Sequence, residues 1–259
     1  MAKSDYYSIQ IHSVPGIPLI NKGDDLCQLV LDAIKANKLT LKDGSILVVA
    51  QKVISKAEDR FVNLKTIKPT ALAIKYSLLT DKDPRLVELI LKESKNVIRH
   101  RKGVLIVENN QGLIMANAGI DHSNVEQDPE NDWVLLLPEN PDRSASSLHQ
   151  KLLAKTGCKI GVIINDSIGR AWRNGTIGTA IGVAGLSSIL DLRGRDDLFG
   201  NQLRVSEEAI ADELASAASL IQGQADEGLP VVLIEGYPKN LQEIPASGLI
   251  RPEENDLFR

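Results

Sequence analysis

The stretch Ile160-Gly161-Val162-Ile163-Ile164-Asn165-Asp166-Ser167-Ile168-Gly169-Arg170 says most about the architecture of this chain. Its apolar first half, bounded by polar and glycine residues, predicts a buried strand that ends near Ile164. A second segment, Asn117-Ala118-Gly119-Ile120-Asp121-His122-Ser123-Asn124, likewise follows an apolar, strand-like run. A carboxylate therefore follows each predicted strand, and we expect the two segments to share one site.

Asp121 and Asp166 favour a site for a divalent cation and a phosphate. Magnesium and manganese take oxygen ligands and commonly bridge protein carboxylates to substrate phosphates. An alternative remains open, because aspartate and asparagine also favour turns and helix N-caps through hydrogen bonds to their own backbone.

Composition restricts the class of protein. The 259 residues suffice for one large domain or two small ones, and 43% hydrophobic with 25% charged residues is ordinary globular usage. A net charge of -4 gives no electrostatic case for nucleic acid. The chain shows no apolar signal-peptide core and no run long enough to span a membrane. We therefore expect a cytoplasmic protein.

Helix and strand patterns alternate along the rest of the chain, which predicts an α/β protein of α+β type with mixed sheets. The stretch of residues 166–200 is too rich in glycine for a long helix. Glycines allow the backbone to come close to a bound ligand, which suits a binding site. The expected strands lie at 7–12, 45–50 and 230–236, and a hairpin is expected at 103–117. One expected helix ends near Lys38, and another runs from Asp83-Pro84 to Glu93. Two more are expected from Ser144 to Lys155, after a linker at 138–141, and from an N-cap at Ser206 to Gln222.

Four cationic side chains are candidates for phosphate contact. Lys52 and Lys56 are four residues apart and face the same way if their segment is helical. Arg170 and Arg173 follow Asp166 closely, and guanidinium groups bind phosphate in bidentate geometry. The alternatives are a solvated surface for the lysines and ion pairs with surface acids for the arginines. Neither a Walker A motif nor a Gly-x-Gly-x-x-Gly motif is present.

Several segments together resemble the coenzyme F-420:L-glutamate ligase family, in register through nearly the whole chain. They are Ile17-Pro18-Leu19-Ile20, Ala50 to Glu58, Asp83 to Glu88, Ala116 to Val125, Asp166 to Arg173, Gly182-Val183-Ala184-Gly185, Arg193-Gly194 and Asp197 to Gly200.

The resemblance implies a GTP-dependent γ-glutamyl ligase that adds L-glutamate to the phospholactyl end of a deazaflavin coenzyme precursor. It implies a two-part fold in an intertwined homodimer, with two Mg²⁺ or Mn²⁺ sites and K⁺. It also suggests a discontinuous domain of residues 1–80 with 205–259 that carries the GTP contacts, and a domain of residues 81–204 that carries the Asp121 and Asp166 metal site.

Site residues follow from the resemblance position by position. Asp121 and Asp166 match ligands of one divalent ion, and Ser167 and Gln224 match ligands of a second. Together with the two arginines proposed above for phosphate contact, this makes Asp121, Asp166, Arg170 and Arg173 the expected catalytic residues. The expected GTP contacts are Ile17, Pro18, Leu19, Ile20, Gln51, Lys52, Lys56 and Asn124, with the phosphate-side loop Gln222, Gly223, Gln224, Ala225, Asp226, Glu227, Gly228 and Leu229.

Some residues depart from the family pattern. Ser167 stands where threonine is usual and keeps the hydroxyl, but Glu235 replaces a frequent arginine, Asp59 replaces a glycine, and the loop 109–111 lacks basic character. Fewer positive charges near an anionic acceptor leave two alternatives open. They are a ligase for another carboxylated acceptor, such as a folate-like cofactor, and a GTP-binding regulatory protein without turnover.

Overall fold

A computed structural model describes residues 8–125, 130–238 and 242–257. It confirms the predicted mixture of helices with mixed and antiparallel sheets. The described strands are β1 (Gln10–Ser13), β2 (Ile46–Ala50), β3 (Phe61–Asn63), β4 (Ser94–Arg101), β5 (Val104–Asn109), β6 (Ile114–Ala116), β7 (Trp133–Leu135), β8 (Gly161–Arg170), β9 (Arg173–Ala184), β10 (Leu190–Asp191), β11 (Glu207–Glu208) and β12 (Val231–Glu235). The described α-helices are α1 (Leu26–Ala36), α2 (Gln51–Ala57), α3 (Ala71–Thr80), α4 (Pro84–Lys92), α5 (Pro141–Thr156) and α6 (Ile210–Gln222).

A five-stranded sheet with the order β1-β12-β2-β8-β9 forms the centre of the molecule. Its middle strands are apolar because helices cover both faces: α1 and α5 pack on one face and α6 on the other. Strands β2 and β8 are parallel, whereas the other pairs in this sheet are antiparallel. The parallel pair brings the C-terminal ends of two buried strands to the same edge.

The glycines of β9 allow its flanking helices to approach. A Cβ atom at Gly178 would lie 2.4 Å from the backbone oxygen of Ala215 on α6, and one at Gly182 would lie 2.4 Å from that of Pro141 on α5. The sequence interpretation that these glycines make room for a ligand is therefore wrong at both positions. They make room for the backbone of the protein's own helices.

A smaller sheet, β4-β5-β6, packs against α3 and α4 around a separate apolar cluster. The predicted hairpin is confirmed, since β5 and β6 pair antiparallel between Ile106–Glu108 and Ile114–Ala116. A two-stranded ladder of β3 and β7 contributes Val134 to a further apolar cluster that includes Leu89 of α4. The chain leaves β6 toward the segment that contains Asp121.

Three predicted boundaries are wrong. The 138–141 stretch is not a linker, because Pro141 is the first residue of α5 and the Asn140 side chain caps the helix through Arg143 N–H at 2.9 Å. Ser206 is not an N-cap; the next two residues form β11, and α6 begins at Ile210. Strand β8 does not end near Ile164 but continues to Arg170.

The predicted strand at 7–12 corresponds to β1, with Tyr7 outside the described residues. The division into two domains stays a prediction, although the five-stranded sheet includes β8 and β9 from one proposed domain and β1, β2 and β12 from the other. Within the described ranges, no helix is both long and apolar enough to cross a membrane.

Candidate active site

The parallel pairing of β2 and β8 creates the site. Ala50, the last residue of β2, pairs with Asn165, so α2 begins at Gln51 beside the point where β8 presents Asp166. Beyond Asn165, strand β8 pairs only with β9 and leaves the sheet as a two-stranded hairpin. Asp166 therefore lies one residue beyond the last parallel pair, with its backbone held in the β8–β9 ladder rather than in a loop.

The segment from Asn117 to Asn124 reaches the same edge through a tight turn. Asn117, Ala118 and Gly119 all have left-handed φ angles of 53°, 56° and 70°. Gly119 is required there, because a Cβ atom would lie 2.7 Å from the side chain of Leu137. After the turn, the backbone of Asp121 exchanges two 2.9 Å hydrogen bonds with Leu135, which fixes where the carboxylate emerges.

The first two residues of α2 contact the Asp121 carboxylate. Gln51 Nε2 donates to Asp121 Oδ2 at 2.6 Å, and Lys52 Nζ lies 3.4 Å from Asp121 Oδ1. Burial raises the pKa of Asp121, while Lys52 and Gln51 oppose the rise by favouring the charged form. Lys52 also donates to Ser123 Oγ at 3.0 Å, so it holds two residues of this segment.

The Asp166 carboxylate shares this environment. Burial, with a further contribution from the negative charge of Asp121, raises the pKa of Asp166 to about 6; the Ser167 backbone N–H and Lys52 act in the opposite direction. The structure thus brings together the two carboxylates that the sequence predicted would share a site. Because the negative charge of Asp121 raises the pKa of Asp166, the nearby Lys52 does not fully compensate the charge of the pair.

A hard divalent cation fits this pair. No group of three His, Cys, Asp or Glu residues able to hold a metal occurs in the part of the chain that the structure describes, so among the described residues this site has a pair of carboxylates, Asp121 and Asp166. Such a set is typical of magnesium or manganese, which complete their shells with water and phosphate oxygens. The ion would also relieve the repulsion between the two carboxylates.

The two proposed ligands of a second ion occupy different positions relative to this pair. Ser167 follows Asp166 in β8 and therefore points to the opposite face of the strand. Asn165, on the same face as Ser167, exchanges side-chain hydrogen bonds of 2.7 and 3.2 Å with Gln222 at the end of α6. Gln224 is exposed in the loop that follows α6. Its neighbour Ala225 accepts from Asn124 Nδ2 through the backbone oxygen, and the metal role of Ser167 and Gln224 stays a prediction.

Lys56 lies one turn after Lys52 on the same face of α2, which confirms the predicted spacing. Its Nζ donates to the backbone oxygen of Asn124 at 2.8 Å. Asn124 in turn donates from Nδ2 to the backbone oxygen of Ala225 at 3.5 Å. The predicted nucleotide residues of α2, of the 117–124 segment and of the loop 222–229 therefore surround one region next to the carboxylates.

The segment from Ile17 to Ile20, which is predicted to contact GTP, precedes a contact with the end of α2, and its side chains differ in exposure. The chain after it reaches the end of α2, where Gly23 N–H donates to the backbone oxygen of Ala57 at 2.9 Å. Ile20 is buried in the core, whereas Leu19 is 84% exposed. Of these two side chains, only that of Leu19 is accessible to a nucleotide.

The arginines predicted to be catalytic are not beside the carboxylates. Arg170 and Arg173 flank the exposed tip of the β8–β9 hairpin, about 13 Å beyond Asp166 at ~3.3 Å per residue. Neither forms an ion pair with a described residue, and Arg170 donates to the Asn174 backbone oxygen at 3.4 Å. The expected pairing with a surface acid instead involves Arg193, which contacts Asp191 at 2.6 Å. A catalytic role for Arg170 and Arg173 stays a prediction.

Two residues of the site were not anticipated from the sequence. Ser123 binds Lys52, and Ser55 on α2 donates to the far end of the Gln51 side chain. Ser55 stands four residues after Gln51, a spacing that places both residues on one face of a helix. Their contact could have been predicted from this spacing.

Comparison with known proteins identifies the family of the chain. The family model for F420-0:Gamma-glutamyl ligase matches residues 16–236. The chain is 44% identical to the coenzyme F420:L-glutamate ligase of Methanothermobacter thermautotrophicus over 255 residues, which cover 97% of this chain and 99% of that protein. The chain belongs to the F420-0:gamma-glutamyl ligase family. Proteins with the same description in Methanocaldococcus jannaschii and Methanopyrus kandleri are 42% and 39% identical, over 85% and 97% of this chain and 86% and 98% of their own lengths.

The departures from the F420-0:gamma-glutamyl ligase pattern lie outside the carboxylate pair. Glu235 is at the end of β12 remote from the site, because Val231 at the other end pairs with Val49 next to α2. Its carboxylate pairs with Lys42 at 2.7 Å. Asp59, beyond the end of α2, forms an ion pair with Lys22. These acidic residues are neutralised within the protein.

Proposed function

We propose that this chain is a GTP-dependent γ-glutamyl ligase that adds L-glutamate to the phospholactyl carboxylate of the coenzyme F420 precursor. Membership of the F420-0:gamma-glutamyl ligase family supports the reaction class. The Asp121–Asp166 pair beside Lys52 and Lys56 is the structural observation that carries the proposal. It supplies adjoining anionic and cationic groups, which metal-dependent transfer of a phosphoryl group requires.

The chemistry requires activation of the acceptor. A carboxylate and an amine do not condense spontaneously in water, so an oxygen of the acceptor carboxylate would attack the γ-phosphorus of GTP. The bond from phosphorus to the β-bridging oxygen breaks, and GDP leaves with that electron pair. The amine of glutamate then attacks the carbon of the acyl phosphate, forms the amide, loses a proton and releases phosphate.

The residues of the site position these groups rather than react covalently. Lys52 and Lys56 would neutralise phosphate oxygens as point charges. Asp121 and Asp166 would hold a magnesium or manganese ion, which supplies charge stabilisation at the oxygens of the transferred phosphoryl group. Asn124 and the loop from Gln222 to Leu229 would contact the nucleotide, because they border the same region.

The proposal includes a second divalent ion near Ser167 and Gln224, a supporting K⁺ ion, and a cytoplasmic homodimer. Glu235 and Asp59 give no structural reason to prefer another acceptor, because each is paired within the protein, away from Asp121. Since no observation favours a different carboxylate, the F420 precursor remains the acceptor that we propose.

The direct test is to incubate the purified protein with GTP, Mn²⁺, L-glutamate and the F420 precursor. Mass spectrometry would show an increase of one or more glutamyl residues, and chromatography would show GDP in matching amounts. Parallel reactions with ATP, without metal, and with a folate-like acceptor identify the nucleotide, the metal requirement and the acceptor.

Asp166→Asn keeps the size of the side chain but removes the charge, and we expect it to abolish both products. Arg193→Ala is the matched surface control and should retain activity, because Arg193 pairs with surface acids. Absence of product and of GDP from the wild-type protein would refute the proposal. Tight GTP binding without turnover on any acceptor would indicate a regulatory protein instead.

A further inference from the structure

Gln51 connects the carboxylate pair to the interior of the protein. Its side chain is only 2% exposed, and Ser55, one turn later on α2, is fully buried. Ser55 Oγ donates to Gln51 Oε1 at 2.9 Å, and Gln51 Nε2 donates to Asp121 Oδ2 at 2.6 Å. The three side chains form one continuous chain of hydrogen bonds from a buried hydroxyl to a site carboxylate.

This chain of hydrogen bonds defines the orientation of the Gln51 amide. An amide presents an acceptor at one end and donors at the other, so rotating it by half a turn would place Oε1 against the negatively charged oxygen of Asp121. With Ser55 donating to Oε1, the donor end points to the carboxylate. Both ends of the buried side chain are then occupied by protein groups, which leaves the Gln51 backbone for any contact with a nucleotide.

We propose that Ser55 is a positioning residue that acts through Gln51 to hold Asp121 for divalent cation binding. Gln51 Nε2 binds Oδ2 at 2.6 Å and Lys52 Nζ lies 3.4 Å from Oδ1, so the Gln51 amide fixes the rotation of the carboxylate that would hold the cation. Partners of this kind orient metal ligands, and their loss typically weakens metal affinity or activity 10- to 100-fold. This inference rests on the proposed function, because it assumes that the carboxylate pair holds a cation.

The test measures Mn²⁺ binding directly, by electron paramagnetic resonance of the free ion during titration of the purified protein. Ser55→Ala removes the hydroxyl and should weaken Mn²⁺ binding about tenfold. Ser55→Thr restores a hydroxyl at the same position and should recover most of the affinity. Ser216→Ala is the matched control, since Ser216 Oγ donates to the Gly178 backbone oxygen at 2.7 Å from another helix, α6.

A thermal melt of each variant separates positioning from general stability. The inference predicts that Ser55→Ala and Ser216→Ala both lower the melting temperature, while only Ser55→Ala weakens Mn²⁺ binding. Unchanged Mn²⁺ affinity in Ser55→Ala, or equal weakening in Ser216→Ala, would overturn it, as would a wild-type protein that binds no Mn²⁺. A wild-type protein that binds Mn²⁺ but forms no glutamylated product removes the ligase proposal alone, and the comparison of variants still decides the role of Ser55.

Discussion

Asp166→Asn should stabilise the metal-free protein at neutral pH, although it should abolish function. The pKa of Asp166 rises from 3.8 to about 6, so the folded state disfavours its charge. At ~1.4 kcal/mol for each pKa unit, this rise costs about 3 kcal/mol of folding free energy above pH 6. Asparagine is uncharged and nearly the same size, and its carbonyl oxygen can accept the Ser167 backbone N–H as the carboxylate does.

The expected gain depends on pH in a defined direction. Below pH 3.8 the carboxyl group is protonated in the folded and unfolded states, so the substitution should bring no electrostatic gain. Between pH 3.8 and about 6 the folded protein binds more protons than the unfolded chain, and the stability of the wild type falls as the pH rises. The advantage of Asp166→Asn should therefore grow through this window and stay constant above it.

Chemical denaturation in a chelator, at several values between pH 5 and pH 8, measures this advantage. Asp191→Asn is the matched control for the loss of one negative charge, because Arg193 lowers the pKa of Asp191 to about 2 at the surface. That control should not gain stability. Adding Mn²⁺ should reverse the order, since a ligand that binds only the folded wild type stabilises it. No gain at pH 7.5, or a gain independent of pH, would refute the reasoning.

Two further predictions concern packing and charge at the site. Gly178→Ala should lower the free energy of unfolding by at least about 2 kcal/mol in a denaturant titration, because its Cβ would clash with the Ala215 backbone oxygen. Gly169→Ala, where a Cβ meets nothing within 4 Å, should be nearly neutral; equal losses would contradict the packing argument. Lys52→Ala should raise the pKa of Asp121, measured by carboxyl NMR titration, since Lys52 favours its charged form. A lower pKa would contradict this assignment.

Local sequence patterns predicted that Asp121 and Asp166 would be neighbours and that Lys52 and Lys56 would share a helix face. Asp166 and Asp121 were expected together because each follows an apolar run, and their carboxylates do interact, although β8 continues through Asp166 rather than ending before it. The spacing of Lys52 and Lys56 predicted a common helix face, which α2 provides. These features depend on local periodicity, which a sequence contains.

Features that depend on tertiary contacts were missed. Strand β9 has too many glycines to be recognised by strand propensity, and Gly178 and Gly182 are explained only by α6 and α5 lying against them. The polar and glycine residues at the end of β8 are typical of a loop. They form a strand because pairing with β9 continues beyond the last pair with β2. Ser206 resembled an N-cap, but pairing with Leu190–Asp191 takes the following residues into a strand. In each case a partner distant in sequence decides the local structure.

The alternation of side chains along β8 makes the candidate site sensitive to a single step of strand register. Asn165 faces Gln222, while Asp166 faces the opposite side and the Asp121 carboxylate. Sliding β8 by one residue against β2 would put Asn165 or Ser167 where Asp166 now stands, and neither side chain carries a carboxylate. Mn²⁺ affinity would then report whether the central sheet has formed correctly, so a metal titration would also serve as a quality check on refolded protein.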